Sequence, residues 1–130
     1  SECSPRITTS DFSEDNKYSN GVLTGVDDVR VVDGEIQVKG PSVMKGYYKD
    51  PELTKSVFTT EEDSVGAGWF RTGDLGVLHN GMWLELKGRL KNMILSSSGE
   101  NIYPEDIEFV LNQHPLVVLV KVLLLLKLIY

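Results

Sequence analysis

Residues 68–76 read Gly-Trp-Phe-Arg-Thr-Gly-Asp-Leu-Gly, and residues 88–101 read Gly-Arg-Leu-Lys-Asn-Met-Ile-Leu-Ser-Ser-Ser-Gly-Glu-Asn. Between them lies an apolar stretch that contains Asn80-Gly81, a dipeptide that supplies the two positive-φ residues of a tight hairpin turn. The pattern predicts a β-hairpin over residues 77–86. Its open end would bring the carboxylate of Asp74 close to the guanidinium of Arg89 and form a polar site there.

A purely structural interpretation of the same residues stays open. Thr-Gly-Asp is common in turns, and Asp74 with Arg89 could be an exposed ion pair, which stabilises a fold by at most ~1 kcal/mol. Spacing alone does not decide between a binding site and a surface pair.

Composition limits the classes of protein to consider. The chain has 130 residues, of which 41% are hydrophobic, enough for one domain, or one small domain with an appendage. Its net charge of −6 without a basic block argues against a nucleic-acid partner. The single cysteine, Cys3, cannot form an intrachain disulfide, and no secretion leader is legible, so we expect a cytoplasmic protein.

Eleven of the last fifteen residues, 116–130, are Leu or Val. A transmembrane helix needs ~20 apolar residues, and this run is shorter and is interrupted by Lys121 and Lys127. It predicts one or two buried β-strands rather than a membrane span. A truncated or spliced sequence is the alternative explanation.

The remaining elements are short. Asp33-Gly34 predicts a second hairpin over residues 29–39. Asp50-Pro51 predicts a short helix on which Leu53 and Val57 face inward.

The clearest helix is predicted over residues 103–113. Pro104 fits its first position, and an apolar stripe formed by Ile107, Val110 and Leu111 would pack on the strands of the tail. Together these elements predict an α+β fold that is rich in β-structure.

Three segments, taken in order, resemble the signature motifs of the adenylate-forming superfamily, which includes acyl-CoA synthetases, peptide-synthetase adenylation domains and beetle luciferases. They are residues 68–76, 88–91 and 98–108. The resemblance implies that residues 1–89 are the β-rich end of the large domain. Residues 90–130 would then begin the small mobile C-terminal domain, which is incomplete here, with a hinge between the two.

The resemblance implies an AMP-forming acid–thiol ligase. In this family a carboxylic acid and MgATP give an acyl-adenylate and pyrophosphate, and a thiol, usually coenzyme A, then displaces AMP. The implied ligands are ATP or AMP, Mg²⁺, coenzyme A and a small carboxylic acid. The likeness is strongest to bacterial long-chain fatty acyl-CoA synthetases, so a fatty acid is the expected substrate, and peripheral membrane contact through a lipid is left open.

Four residues match positions with roles in these enzymes. Asp74 matches the aspartate that takes both ribose hydroxyls, and Arg89 matches the arginine near the ribose and phosphate. Glu2 matches the glutamate that interacts with Mg²⁺ and belongs to the catalytic set. Lys91 matches the hinge residue about which the small domain rotates between the two half-reactions.

A fifth match is the loop that approaches the coenzyme A arm, formed here by Ser98, Gly99 and Glu100. Many relatives have Gly-Gly where this chain has Ser98-Gly99.

The phosphate-binding loop and the adenylating lysine of the family are not matched, so the chain alone is expected to be an inactive fragment. Two rival functions stay open. One is an adenylation domain that loads an amino or aryl acid onto a carrier protein. The other is a non-catalytic, β-rich interaction module.

Overall fold

The computed structural model describes residues 2–3, 6–9, 21–25, 27–64 and 66–117. The chain forms two compact units, Ser1–Leu86 and Lys87–Tyr130. The boundary lies inside one strand, between Leu86 and Lys87. The boundary that we expect after Arg89 lies slightly further along the chain and stays a prediction.

The elements of the first unit are strands and one short helix. In chain order they are β1 (Thr8–Thr9), β2 (Val22–Leu23), β3 (Asp28–Val32), β4 (Glu35–Lys39), α1 (Pro51–Ser56), β5 (Phe70–His79) and β6 (Trp83–Arg89), whose last residues belong to the second unit. They form a six-stranded sheet in the order β1-β2-β6-β5-β4-β3. The prediction of a β-rich fold with few helices is confirmed.

Both predicted hairpins are present. Asp33 and Gly34 have φ values of 50° and 82°, and Asn80 and Gly81 have φ values of 50° and 70°. Positive φ at both central positions gives the turn a twist that matches the flanking strands. The Met82 N–H closes the second turn on the carbonyl of His79 at 3.0 Å.

The core lies on one face of this sheet. Ile36, Val38 and Leu84 are almost completely buried. Burial of a large aliphatic side chain contributes roughly 1.5–3 kcal/mol, and Phe70 and Leu75 are buried in this unit as well. The partly buried side chains packed around them are Cys3, Ile7, Leu23, Val29, Val31, Val43 and Leu78.

The opposite face of β4 is closed by a polar contact. Gln37 is only 3% exposed, and its Oε1 accepts hydrogen bonds from Nε and Nη2 of Arg30 at 3.0 and 2.8 Å. The Arg30 guanidinium lies 3.9 Å from the centre of the Trp69 ring. Strand β4 is therefore buried on both sides, which makes it a rigid support for its neighbour β5.

Helix α1 begins as predicted and faces differently. Asp50 caps it by accepting from the Leu53 N–H at 3.0 Å, and Pro51 occupies its first turn. Leu53 is 45% exposed, so the prediction that it faces inward is wrong. Thr54, rather than Leu53, contacts the loop that precedes the helix. Its hydroxyl accepts from the Tyr47 N–H at 2.8 Å and donates to the Asp50 carbonyl at 2.8 Å.

The second unit contains the end of β6, a 3-10 turn (Leu90–Asn92), strands β7 (Ile94–Leu95) and β8 (Asn101–Ile102), and helix α2 (Pro104–Asn112). Strands β7 and β8 pair antiparallel.

Helix α2 confirms the predicted helix with Pro104 in its first turn. Its apolar residues Ile107, Val110 and Leu111 are exposed. The strands expected in the tail fall mostly on residues 118–130, outside the described residues. Within the described part of the chain, no helix combines the length and apolarity needed to cross a membrane.

Candidate functional site

The Thr-Gly-Asp segment is a bulge in strand β5. Gln37 of β4 pairs with Arg71, whereas Glu35 pairs with Leu75. A step of two residues along β4 thus corresponds to four along β5, and β5 carries two extra residues at this point. A bulge bends its strand and re-aims the side chains that it contains, and the re-aimed segment here includes Asp74.

Two side chains secure the backbone of this bulge. The Thr72 hydroxyl donates to the Ile36 carbonyl at 2.8 Å and accepts from the Asp74 N–H at 3.0 Å. The Glu35 carboxylate accepts from the Gly73 N–H at 3.1 Å. Gly73 has a φ of 69°, a conformation that favours glycine.

Sequence reasoning missed Thr72 and Glu35. A threonine two residues before Asp74 is a local signal, since such hydroxyls often bond to a nearby backbone N–H. Glu35 offers no local signal, because it reaches the bulge from the neighbouring strand.

Glu2 is half-buried and belongs to a segment tied to the loop before α1. Its carbonyl accepts from the Met44 N–H at 2.8 Å, and its carboxylate lies 3.4 Å from the Tyr47 hydroxyl, a long and weak hydrogen bond. Burial, followed by the charge of Glu2, raises the pKa of the Tyr47 hydroxyl.

Asp27 anchors the same loop. It is 8% exposed and accepts from both the backbone N–H and the hydroxyl of Ser42. The next residue, Val43, bridges to Cys3 as a short antiparallel pair. Asp27 therefore braces the segment that carries Glu2, and no local sequence pattern marks it for this role.

The thiol of Cys3 is partly buried and lies in a negatively charged environment. Its pKa is raised first by burial, then by the negative charge of Asp27, and further by Glu2 and Asp74. Glu2 and Asp74, far apart in sequence, therefore both act electrostatically on one thiol.

The carboxylates do not form a ready-made metal cage. Among the described residues, no group of three or more His, Cys, Asp or Glu side chains is arranged to hold a metal ion. Mg²⁺ often uses only one or two carboxylates and keeps several waters. The role of Glu2 toward Mg²⁺ fits this chemistry and stays a prediction.

Arg89 and Lys91 belong to the second unit. Arg89 ends β6 with an exposed side chain, and its carbonyl accepts from the Met93 N–H at 3.1 Å. Lys91 is exposed in the 3-10 turn that follows. Because Asp74 lies in the first unit, its expected approach to Arg89 stays a prediction, as does the hinge at Lys91.

Ser98, Gly99 and Glu100 lie in the exposed loop between β7 and β8. Ser96, which the sequence did not single out, organises this loop: its hydroxyl accepts from the Glu100 N–H at 2.9 Å and lies 2.8 Å from the Ser98 hydroxyl. Gly99 has a φ of 85°, and a Cβ there would meet open space. The loop thus presents an uncovered backbone.

Comparison with known proteins gives relatives that share one chemistry. A 2-succinylbenzoate–CoA ligase of Bacillus licheniformis is 46% identical over 82 residues, 63% of this chain and 16% of that protein. The 2-methylpropanoate–CoA ligase CCL4 of Humulus lupulus is 45% identical over 82 residues, 63% of this chain and 14% of that protein. No protein-family model matches the chain.

A solved structure agrees with these relatives. The O-succinylbenzoate coenzyme A synthetase MenE of Bacillus subtilis, in complex with ATP and magnesium ion, superposes with a TM-score of 0.76 at 35% identity. The match covers 91% of this chain and 26% of that one. The homologues of this chain are CoA ligases of the adenylate-forming superfamily.

The share of each relative that is covered limits what the comparison says. The chain spans about one-sixth of the length of the curated relatives that it matches. The expected likeness to acid–CoA ligases is confirmed at that level. A long-chain fatty acid is not among the acids in these names.

Proposed function

We propose that this chain is the ribose-binding and hinge portion of an AMP-forming acid–CoA ligase. In this reaction a carboxylate oxygen attacks the α-phosphorus of ATP and pyrophosphate leaves. The thiol of coenzyme A then attacks the acyl carbon, and AMP leaves. The observation that carries the proposal is the braced bulge that holds Asp74 in a chain 35% identical to a synthetase solved with ATP and magnesium ion.

Asp74 would bind the ribose. A carboxylate offers two acceptor oxygens, and a ribose presents two adjacent hydroxyl donors, so the pairing is bidentate. Hydrogen bonds to a charged group contribute roughly 1.5–3 kcal/mol each. The rigid bulge lowers the entropy that Asp74 loses on binding, since its backbone N–H is already held by Thr72.

Arg89 would bind the nucleotide, and Lys91 would be the hinge of the domain movement. The planar guanidinium of Arg89 offers a fixed fork of donors that suits a phosphate or ribose oxygen better than an ammonium would. Lys91 lies in a short exposed turn, where a change of backbone dihedrals uncovers no apolar core.

Glu2 would lie beside the Mg²⁺ of MgATP, and this metal would neutralise charge on the phosphates when it is bound. Ser98, Gly99 and Glu100 would contact the coenzyme A arm in the second half-reaction. The open space beside Gly99 allows close approach of a ligand to the backbone.

The acid is proposed as a small carboxylic acid whose class the residues here do not select. Fatty, aryl and short branched acids all belong in the test, and a cytoplasmic location is proposed with them. Contact with a membrane surface would follow only from a lipid substrate.

The test is ATP–pyrophosphate exchange by the intact protein that carries this sequence, with fatty, aryl, short branched and amino acids in turn. Exchange followed by acyl-CoA formation supports the ligase. Exchange only with amino or aryl acids, with transfer to a carrier protein and none to coenzyme A, supports the carrier-loading alternative. The 130-residue chain alone is expected to give no exchange.

Asp74→Ala provides the residue-level test. We expect the KM for ATP to rise by at least about 10- to 150-fold, the equivalent of losing one of the two charged hydrogen bonds that Asp74 would make. Asp28→Ala, at an exposed position in β3, is the matched control and should leave it unchanged. An unaltered ATP dependence in Asp74→Ala would favour the non-catalytic module.

A further inference from the structure

The bulge at residues 72–74 is held by a residue outside the family motif that surrounds it. We propose that Glu35 is a positioning residue for Asp74: its carboxylate sets the backbone at Gly73 so that Asp74 meets both hydroxyls of a nucleotide ribose. This inference rests on the proposed ligase function, and it assigns to Glu35 no contact with the substrate.

The register makes this role specific. The backbone of Glu35 pairs with Leu75, on the far side of the bulge, while its side chain reaches back to the Gly73 N–H at 3.1 Å. One residue therefore holds the bulge on both sides. Without it, the Gly73 N–H would lose this acceptor, because the ladder between β4 and β5 is interrupted there.

Thr72 completes the brace. Its hydroxyl fixes the Asp74 N–H and the Ile36 carbonyl, so that two consecutive N–H groups, those of residues 73 and 74, are each bonded to a side chain. Ile36 is 1% exposed, and the strand that carries Glu35 is therefore anchored in the core. A carboxylate acceptor forms a stronger bond to an N–H than a neutral acceptor does, which suits a glycine at φ 69° that would otherwise move freely.

If Glu35 only stabilised the fold, it would make the same contacts. The test must therefore report how the Asp74 carboxylate is oriented, and not only how stable the protein is. The vicinal diol provides that readout. If Asp74 binds both ribose hydroxyls, removal of one hydroxyl from the nucleotide lowers the activity only when the carboxylate is correctly oriented.

The experiment compares ATP with 2′-deoxyATP in pyrophosphate exchange by the intact protein, with melting temperatures recorded in parallel. We expect the wild-type protein to prefer ATP by about tenfold or more in kcat/KM, the effect of one hydrogen bond to a charged group. In Glu35→Ala this preference should fall toward one, because activity with ATP drops more than activity with 2′-deoxyATP. Glu35→Gln retains an oxygen acceptor at the same reach and should keep most of the preference.

Glu35→Asp keeps the charge and shortens the side chain by one methylene group, so it should lose much of the preference even if Glu35→Ala does not fold. Equal loss with both nucleotides in Glu35→Ala, or a wild-type preference in Glu35→Asp, would overturn the positioning role and leave the ligase proposal intact. A wild-type protein without exchange would overturn both, and the two failures are therefore distinguishable.

Discussion

The Oε2 atom of Glu105 lies against the backbone of Gly88, so that a Cβ at position 88 would come within 2.7 Å of it. Glu105 Oε2 is buried and has no hydrogen-bond partner among the described residues, while Oε1 accepts from the Asn92 amide at 2.8 Å. Helix α2 thereby contacts the chain on both sides of Arg89 and Lys91. The segment proposed as a hinge is fixed by one carboxylate.

Gly88→Ala should destabilise the protein through two effects. Gly88 has a φ of 147°, where a side chain costs about 1–3 kcal/mol of strain, and the added methyl group would displace Glu105 from Asn92. The measurement is the thermal unfolding midpoint of the intact protein. Gly99→Ala is the control, because Gly99 has a φ of 85° but open space around it, and so reports strain alone. A smaller loss in Gly88→Ala than in Gly99→Ala would contradict the contact with Glu105.

The local parts of this fold are readable from sequence, and the parts set by distant residues are not. Asp33-Gly34 and Asn80-Gly81 encode their turns in two residues each, and both hairpins were predicted. The bulge in β5 depends on the register with β4, which no local pattern specifies. Thr-Gly-Asp therefore looked like a turn between elements, although it lies within a strand.

The same distinction explains the helices. Asp50 and Pro51 determine where α1 begins, and that prediction is confirmed. The spacing of four residues between Leu53 and Val57 does not determine which side of a six-residue helix packs against the preceding loop. In the structure that contact is made by Thr54. Of the site, the motif residues could be named from resemblance and Thr72 from its local spacing to Asp74, while Glu35 and Asp27 could be found only from their contacts in the fold.

Cys3 should be slow to react with iodoacetamide at neutral pH. The thiolate is the nucleophile, and the pKa of Cys3 is raised by burial and then by the charge of Asp27. The reaction rate should therefore rise at a higher pH than for a free cysteine, whose pKa is about 8.5. Asp27→Asn removes the negative charge and should shift the profile to lower pH. The intact protein is treated with iodoacetamide at values from about pH 7 to 10, a range that includes the pKa of a free cysteine. The modified Cys3 peptide is then quantified by mass spectrometry.

Asp74→Asn is the matched variant for this experiment. Asp74 contributes less than Asp27 to the pKa of Cys3, so the profile should move in the same direction by a smaller amount. A profile that does not move in Asp74→Asn, while Asp27→Asn shifts it, would show that the charge of Asp74 does not act on the Cys3 thiol.

Asp63 should contribute stability that disappears in acid. Hydrogen bonding from the Thr60 N–H at 2.6 Å, helped by Arg71 at 2.7 Å, lowers the pKa of Asp63 below its usual value. A carboxyl with a lowered folded-state pKa stabilises above its unfolded pKa, about 3.9, and loses that contribution as the pH falls through the folded value. The difference in stability between wild type and Asp63→Asn should therefore be full above about pH 4 and shrink below it. Asp28→Asn, at an exposed position, is the control, and a pH-independent difference would contradict the assignment.

Lys91→Pro tests the hinge directly. Proline disfavours helical dihedrals in the residue before it, and Leu90 is the first residue of the 3-10 turn, so the substitution should force this turn into a different backbone path. If the turn must alternate between two arrangements, one half-reaction should persist and the other should fall, whereas Lys91→Ala, which leaves the backbone free, should retain both. ATP–pyrophosphate exchange reports the first half-reaction, and release of AMP on addition of coenzyme A to preformed acyl-adenylate reports the second. Equal loss of both, or of neither, would show that residues 90–92 do not control the change between poses, and movement would then have to be sought elsewhere along the strand that leads to Arg89.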